Sequence, residues 1–282
     1  SDLDSAALFP EYVARAVKQG VDGNHILEEI CAAQTQIEGM DYRAIASDPD
    51  WESQKPSVVE EGGFIPETSI RLKESLIRLK KRGRMMVASY EAIKFQRLDL
   101  FTVALKQIGS CIGRAQLEDA VDVLINGDGN SNPEEKVQLA QSDKLTYQDL
   151  LNLWGSFGEY QMNVMLASHD MMLKLLQVPE LQDPKTGLNF QATGCLSTPL
   201  GAKLFVSSAV PKGTIIGLDR RYALEMVQAG GINVEYDKLI DCQMERAAVT
   251  SIAGFSKIIT QALKVLAKRR QAMDEKHLMN DI

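Results

Sequence analysis

The sequence predicts an α+β fold, and three observations carry that reading. One long amphipathic helix is written over 99–126, short strands alternate with helices after residue 145, and the last third is rich in strand-forming runs. The helix is the landmark. Behind Asp99, an N-cap residue type, Phe101, Leu105, Ile108, Ile112 and Ala115 recur at helical spacing. Asp119 interrupts that line, and Leu117, Ala120, Val121, Leu124 and Ile125 carry the apolar stripe onward. At 1.5 Å per residue such a helix is about 40 Å long, well beyond the usual ~11–12 residues. Its stripe drifts from a strict heptad and lasts under four repeats, which favours a spine through one domain over a coiled coil.

Ahead of the spine, Phe9-Pro10 leads into a helical "EYVARAVKQG", and "HILEEICAAQTQI" places Ile26, Ile30, Ala33 and Ile37 on one helical face before Gly39. From Asp48, an Asp-Pro step, Pro56, Gly62-Gly63 and Pro66 mark extended, turn-rich chain. Residues 68–88 leave two readings open. Leu72, Leu76 and Leu79 suit a helix, whereas "IRLK" and "LIRLKKRGRMMV" alternate as in a two-stranded hairpin. Behind the spine, Thr146 and Asp149 form a capping-box pattern in "TYQDLLNLWGSF", "YQMNVMLAS" reads as a strand, and Ser168 caps "HDMMLKLLQV". A loop over 179–201 leads to the strands "AKLFVSS" and "GTIIGLD", then "INVEYDKL" and "ERAAVTSIAGFSKI" follow, and 267–282 is a polar tail.

Composition narrows the function classes. A chain of 282 residues that is 45% hydrophobic and 24% charged is ordinary for a soluble globular protein. No stretch approaches the ~20 apolar residues of a membrane span, and "SDLDSAALFPEY" has neither the basic start nor the apolar core of a signal peptide. Cys31, Cys111, Cys195 and Cys242 lie far apart with no CxxC, which favours single thiols in a reducing compartment over a disulfide framework or a zinc site. A net charge of −7 argues against a dedicated nucleic-acid binder, which needs a basic face to displace counterions from phosphate. The charge is unevenly placed: residues 1–67 hold 14 acidic and 4 basic side chains, while 71–84 hold seven basic ones against Glu74 alone. Blocks of opposite sign suit an internal contact, head-to-tail association between copies, or simply a solvated face.

Catalytic and metal patterns fail when tested against their geometry. The run "NGDGNSN" ends the spine and offers Asn126, Asp128 and Asn130 at calcium-loop positions one, three and five. Position six is then Ser131 where a Gly is required, and position twelve is Val137 where a bidentate Glu is required; a start at Asp128 puts Pro133 and Leu139 there. A helix-ending turn is the better reading. Ser168-His169-Asp170 holds the residue types of a hydrolytic triad, but three neighbours on a helix start point in different directions. His25, His169 and His277 share no zinc spacing, there is no GxxxxGK[ST] loop, and Gly127-Asp128-Gly129 lacks a dinucleotide fingerprint. Met162, Met165, Met171 and Met172 read as core filling, and Trp51 and Trp154 are isolated. No catalytic residue, metal ligand or cofactor is expected.

The ordered blocks nevertheless resemble one family. "EGGFIPE" (61–67) leads into "LKKRGRMMVASYE" (79–91), then "LDLFTVALKQIGSCIGRAQLEDAVDVLINGDGN" (98–130) and "TYQDLLNLW" (146–154). The long block 181–240 and "ERAAVTSIAGFSKI" (245–258) follow. In this order they resemble the major capsid proteins of tailed bacteriophages, with the Hong-Kong-97-type capsid fold, over about Phe9 to Leu266. The resemblance implies an N-terminal arm at 1–48 and an extended E-loop at 49–88, which tips 68–88 toward the hairpin. It implies a P-domain with the spine helix at 89–144, an axial A-domain at 145–231, P-domain strands at 232–266 and a tail at 267–282.

By that resemblance the chain assembles with itself into hexamers, pentamers and an icosahedral head shell around double-stranded DNA, in a virion put together in the bacterial cytoplasm. Portal and scaffolding proteins would be its partners, with no membrane and no cofactor. The arrangement has no long helical scaffolding segment before the arm, so such a segment is either removed or a separate protein. In the family the E-loop lies over the neighbouring subunit. Arg71, Lys73, Arg78, Lys80, Lys81, Arg82 and Arg84 are therefore expected to meet acids of another copy, with Glu60, Glu61, Glu67, Glu118, Asp119 and Asp122 as candidates. Some relatives join an E-loop Lys to a neighbour's Asn. Lys73, Lys80 and Lys81 are of that type, but no partner Asn or activating acid is identifiable in the sequence. The rivals are an encapsulin-type compartment shell, in which "EYVARAV" would recruit cargo, and a soluble α/β enzyme using His169 or the Asp128 cluster.

Overall fold

The computed structural model describes residues 2–23, 25–46, 56, 58–65, 71–91, 98–141, 144–182 and 199–268. Its helices are α1 (Asp2–Asp22), α2 (Ile26–Ile30), α3 (Leu98–Asn126), α4 (Tyr147–Gly155), α5 (His169–Leu176) and α6 (Pro179–Gln182). The early strands are β1 (Cys31–Ile37), β2 (Ile45–Ala46), β3 (Arg71–Leu72), β4 (Lys80–Ser89), β5 (Lys136–Gln138), β6 (Val164–Ala167) and β7 (Lys203–Val206). The later ones are β8 (Thr214–Leu218), β9 (Leu224–Ala229), β10 (Asn233–Leu239), β11 (Met244–Lys257) and β12 (Leu263–Ala267). The chain divides into two units, Ser1–Asn132 with Leu224–Ile258, and Pro133–Ala223 with Ile259–Ile282.

In the first unit the stripe read from the sequence becomes α3, a helix of 29 residues. Leu105, Ile112, Leu117, Ala120, Val121, Leu124 and Ile125 are buried, while Ile108 is only partly covered. Asp99 falls just inside the helix rather than at its cap. One side of α3 is covered by α1, and the crossing is set by two glycines. A Cβ on Gly109 would lie 2.0 Å from the Val17 carbonyl oxygen, and one on Gly20 would lie 2.1 Å from that of Lys106. The two backbones therefore touch, which only glycine permits. Val13, Val17, Leu105, Ile112 and Val249 share this core, joining both helices to the sheet.

That sheet is built on β11. Residues 244–250 of β11 pair antiparallel with β10 and residues 244–253 with β4, so β10 and β4 occupy opposite edges there. Residues 253–257 pair antiparallel with β9, which carries β1 in parallel. Lys80, Arg82 and Met86 of β4 reach the helices, while Lys81, Met85 and Val87 are exposed.

The expected helix over 26–37 is corrected here. Only Ile26–Ile30 is helical, and Cys31–Ile37 is a strand. Its pairing with β9 is reinforced by Thr35 Oγ1 donating to Glu225 at 2.5 Å and by Gln36 donating to Gln228 at 2.5 Å. Tertiary pairing thus overrides a helical apolar pattern. Residues 71–72 and 80–89 are strands rather than a helix, but they pair elsewhere rather than with each other: β3 with β2, and β4 with β11.

The second unit holds the sheet β5-β12-β8-β6-β7. Every residue of β6 and β8 is buried, as expected for strands with both faces covered. Met162, Met165 and Met171 fill this core beside Leu150, Leu153, Phe157, Leu175 and Ile215, with Met172 packed against it. The Thr146–Asp149 capping box forms as read. Ser168 occupies the N-cap position of α5, but its hydroxyl lies 2.7 Å from Asp170 Oδ1, and His169 is exposed, so the three residues make no triad. Asp219, fully buried at the end of β8, accepts from the Gln161 and Arg221 amides, from Asn163 and from the Arg221 guanidinium.

Two boundaries move relative to the sequence reading. The strand 224–229, assigned to the A-domain, belongs to the first unit's sheet, and 263–267, assigned to the P-domain, pairs into the second unit's sheet. The tail beyond 268 and Trp51 lie outside the described residues. Among the described residues, no helix is long and apolar enough to cross a membrane, and no group of three metal-type side chains comes together.

Candidate intersubunit surface

The seven basic residues of 71–84 separate into two groups. Lys73 is sunk into the first unit. Its ammonium donates to Asp128 Oδ2 at 2.8 Å, to Ser256 Oγ at 3.1 Å and to the Lys257 carbonyl. Asp128, whose side chain is fully buried, also accepts from Ser256 Oγ and the Lys257 amide on Oδ2, and from the Asn130 amide and side chain on Oδ1. Burial alone would push this carboxyl up. The hydrogen bonds from Lys73, Asn130 and Ser256, with the Lys73 charge, outweigh it and hold the carboxyl below its ordinary value.

The turn that fails as a calcium loop is therefore a socket for a lysine, with an ammonium where a cation would sit. Gly127, at φ +91°, lets the chain leave α3, and Asn132 Oδ1 accepts the Asp128 amide. Asn130 Oδ1 in turn accepts the Ser75 amide, so the turn pins the base of the preceding loop.

Lys80 and Arg82 form the second internal contact. Lys80 donates to Asp119 Oδ1 at 2.6 Å, while Arg82 grips both oxygens, at 2.6 and 3.1 Å. This explains why an aspartate interrupts the apolar stripe: it lies under β4, 8% exposed, and two cations neutralise it. Asp119 was expected to face another copy of the chain; its cations come instead from its own chain. The remaining basic residues, Arg71, Arg78, Lys81 and Arg84, are exposed and make no ion pair among the described residues. Of the acids, Glu60, Glu61 and Glu118 are exposed, Asp122 accepts from Asn126 at 2.7 Å, and Glu67 lies outside the described residues.

The sequence reading missed Asp128 as the partner of Lys73. The signal available was a lone acid among Asn and Gly residues at a helix end, and nothing in it says which lysine arrives. It also left the exposed face of β4 unremarked, where Met85 and Val87 stand beside Lys81. Cys31 is buried and its thiol is pushed up to about 12, so it stays protonated; Cys111 and Cys242 are exposed and free.

Lys81, Met85 and Val87 thus form an exposed charged and apolar face on a sheet braced by the spine helix. A family model of phage capsid proteins matches residues 73–265, more than half of the chain, and the chain belongs to that family. Its fold is the tailed-phage capsid fold. The capsid of a native GTA particle superimposes with a TM-score of 0.64 at 15% identity, covering 86% of this chain and 90% of that one. The capsid of cyanophage P-SCSP1u gives 0.62 at 12% identity, over 87% and 88%. A virus-like particle from Pyrococcus furiosus gives 0.60 at 13% identity, over 91% and 98%. No curated protein matches the chain in sequence.

Proposed function

We propose that this chain is the major capsid protein of a tailed phage or prophage. It assembles through hexamers and pentamers into an icosahedral head shell around double-stranded DNA. The family match over 73–265 carries the reading, since it runs from the Lys73 socket through the spine to the last strand. Membership of that family supports a structural role in the virion over an enzymatic one. Portal and scaffolding proteins are its expected partners, and the host cytoplasm is where assembly takes place.

The chemistry of the surface supports head-to-tail association. Basic Arg71, Arg78, Lys81 and Arg84 and acidic Glu60, Glu61 and Glu118 are all exposed on one chain, and charges of both signs suit heterologous contacts that close into rings. A net charge of −7 keeps the wall from gripping the packaged phosphate backbone.

A compartment shell is the second reading, favoured by the extent of the likeness to the virus-like particle, which covers 98% of that chain. Negative-stain imaging of purified particles, with their nucleic-acid content measured after nuclease treatment, separates the two. Closed shells holding protected double-stranded DNA support the capsid reading. Shells holding a protein cargo and no nucleic acid overturn it.

A further inference from the structure

The last turn of α3 runs into the one Asn-Gly step in the sequence, Asn126-Gly127. Such a step is chemically labile, because glycine has no side chain to shield its amide nitrogen from the preceding carboxamide. The fold nevertheless needs it there. Gly127 takes φ +91°, and a Cβ on it would lie 2.7 Å from Asn132 Oδ1 and 3.0 Å from the Asn132 carbonyl carbon, so a side chain at 127 is strained. Asn126 is exposed, and water reaches it freely.

Two hydrogen bonds hold the step away from reaction. The Gly127 amide donates to the Val123 carbonyl at 2.9 Å, which aims it back along the helix rather than at Asn126 Cγ. The Asn126 carboxamide is tied back one turn, its Nδ2 donating to Asp122 Oδ1 at 2.7 Å. Attack therefore requires the last turn to open, and helix ends open at the least cost.

We propose that Asn126 is a deamidation site gated by opening of the last turn of α3, and that its isoaspartate product unseats Lys73. The Gly127 amide nitrogen bonds to Asn126 Cγ, the Cγ–Nδ2 bond breaks, and ammonia leaves with the proton which that nitrogen gives up. Water then opens the cyclic imide at either carbonyl, to aspartate or isoaspartate. Both products replace the donor to Asp122 with a carboxylate, at the negative end of the helix dipole and one turn from a like charge. Isoaspartate also inserts a methylene into the main chain just ahead of Asp128. The Asp128 side chain is fully buried, and its Oδ2 accepts from Lys73, Ser256 and the Lys257 amide, so it cannot follow a shifted backbone and keep them all. The reaction needs only the folded subunit, whatever that subunit assembles into.

Mass spectrometry of aged protein tests it. Trypsin, cutting at Arg114 and Lys136, releases residues 115–136, and fragmentation assigns a new carboxylate to 126, 130 or 132. The protein is aged in mildly alkaline buffer with and without urea. Asn126 is expected to convert in both, and about tenfold or more faster in urea, where no turn has to open. Folded protein enriched in isoaspartate at 126 is expected to melt about 2–4 °C or more below fresh protein. Asn126→Ala is expected to show neither the conversion nor the fall with age. Conversion at 130 or 132 instead, no conversion in urea, or equal rates in urea and buffer overturns the gated site. Isoaspartate at 126 with an unchanged melting temperature overturns the link to Lys73.

Discussion

Lys73 and Lys81 stand eight residues apart in one basic stretch, yet the structure gives them opposite energetic weight. Lys73 is nearly covered and meets a fully buried Asp128. Lys73→Met therefore strands a carboxylate in the interior and is expected to destabilise the subunit by about 3–5 kcal/mol. Lys81→Met removes an exposed charge and is expected to stay within about 0.5 kcal/mol. Denaturant melts of the unassembled subunit check both, and equal effects would remove the distinction. Calcium at micromolar concentration is expected to leave the melting temperature unchanged, because both Asp128 oxygens already accept hydrogen bonds. In the second unit, Asp219 is held down to about 2. Burial would raise it, but the Arg221 guanidinium, the Gln161 and Arg221 amides and Asn163 outweigh that. A carboxyl below its ordinary ~3.9 contributes stability that is fully present above that pH and is lost as pH falls through about 2. Asp219→Asn is expected to lose about 2–3 kcal/mol at neutral pH and to flatten the acid limb of the stability curve between pH 4 and 2. An unchanged acid limb would assign the titration to other groups.

Among the elements, α3 was legible because its apolar stripe is long and keeps helical spacing. Ile112→Ala is expected to cost about 2–5 kcal/mol, and the half-covered Ile108 less. Equal losses at the two positions would show the buried face to be misplaced. What the periodicity could not show is what covers the helix. Gly109 reads in the sequence as a neutral or weakly unfavourable helix residue, and its role emerges only when α1 arrives with Val17 against it. Gly109→Val is expected to force the helices apart, which proteolysis of residues 2–22 would report. The strand at 31–37 was illegible for a related reason. Ile26, Ile30, Ala33 and Ile37 fit a helix, and only the distant β9, with Glu225 and Gln228 in register, makes it a strand. The charged residues divide in the same way: their sign and crowding were readable at 71–84, but whether each meets its own chain was not, because Asp119 and Asp128 lie 37 to 55 residues away.

For the whole molecule, the separation of internal from outward charges makes assembly testable apart from folding. Replacing Lys80 and Arg82 with Glu leaves Asp119 facing like charges, so the subunit itself is expected to lose stability. Replacing Lys81 and Arg84 with Glu is expected to leave subunit melting unchanged while impairing assembly. Each exposed pair is worth only ~0–1 kcal/mol, but a ring repeats it at every subunit. Salt is expected to weaken early assembly in the same direction, since exposed charges are screened beyond ~8–10 Å. Normal assembly of the Lys81 and Arg84 reversal at low salt would make those charges a solvated face and nothing more. The most direct measurement is the mass of the purified wild-type protein by sedimentation at low salt. A homogeneous closed particle of megadalton size is the expected result. A monomer or small oligomer that persists as protein concentration rises would contradict the shell.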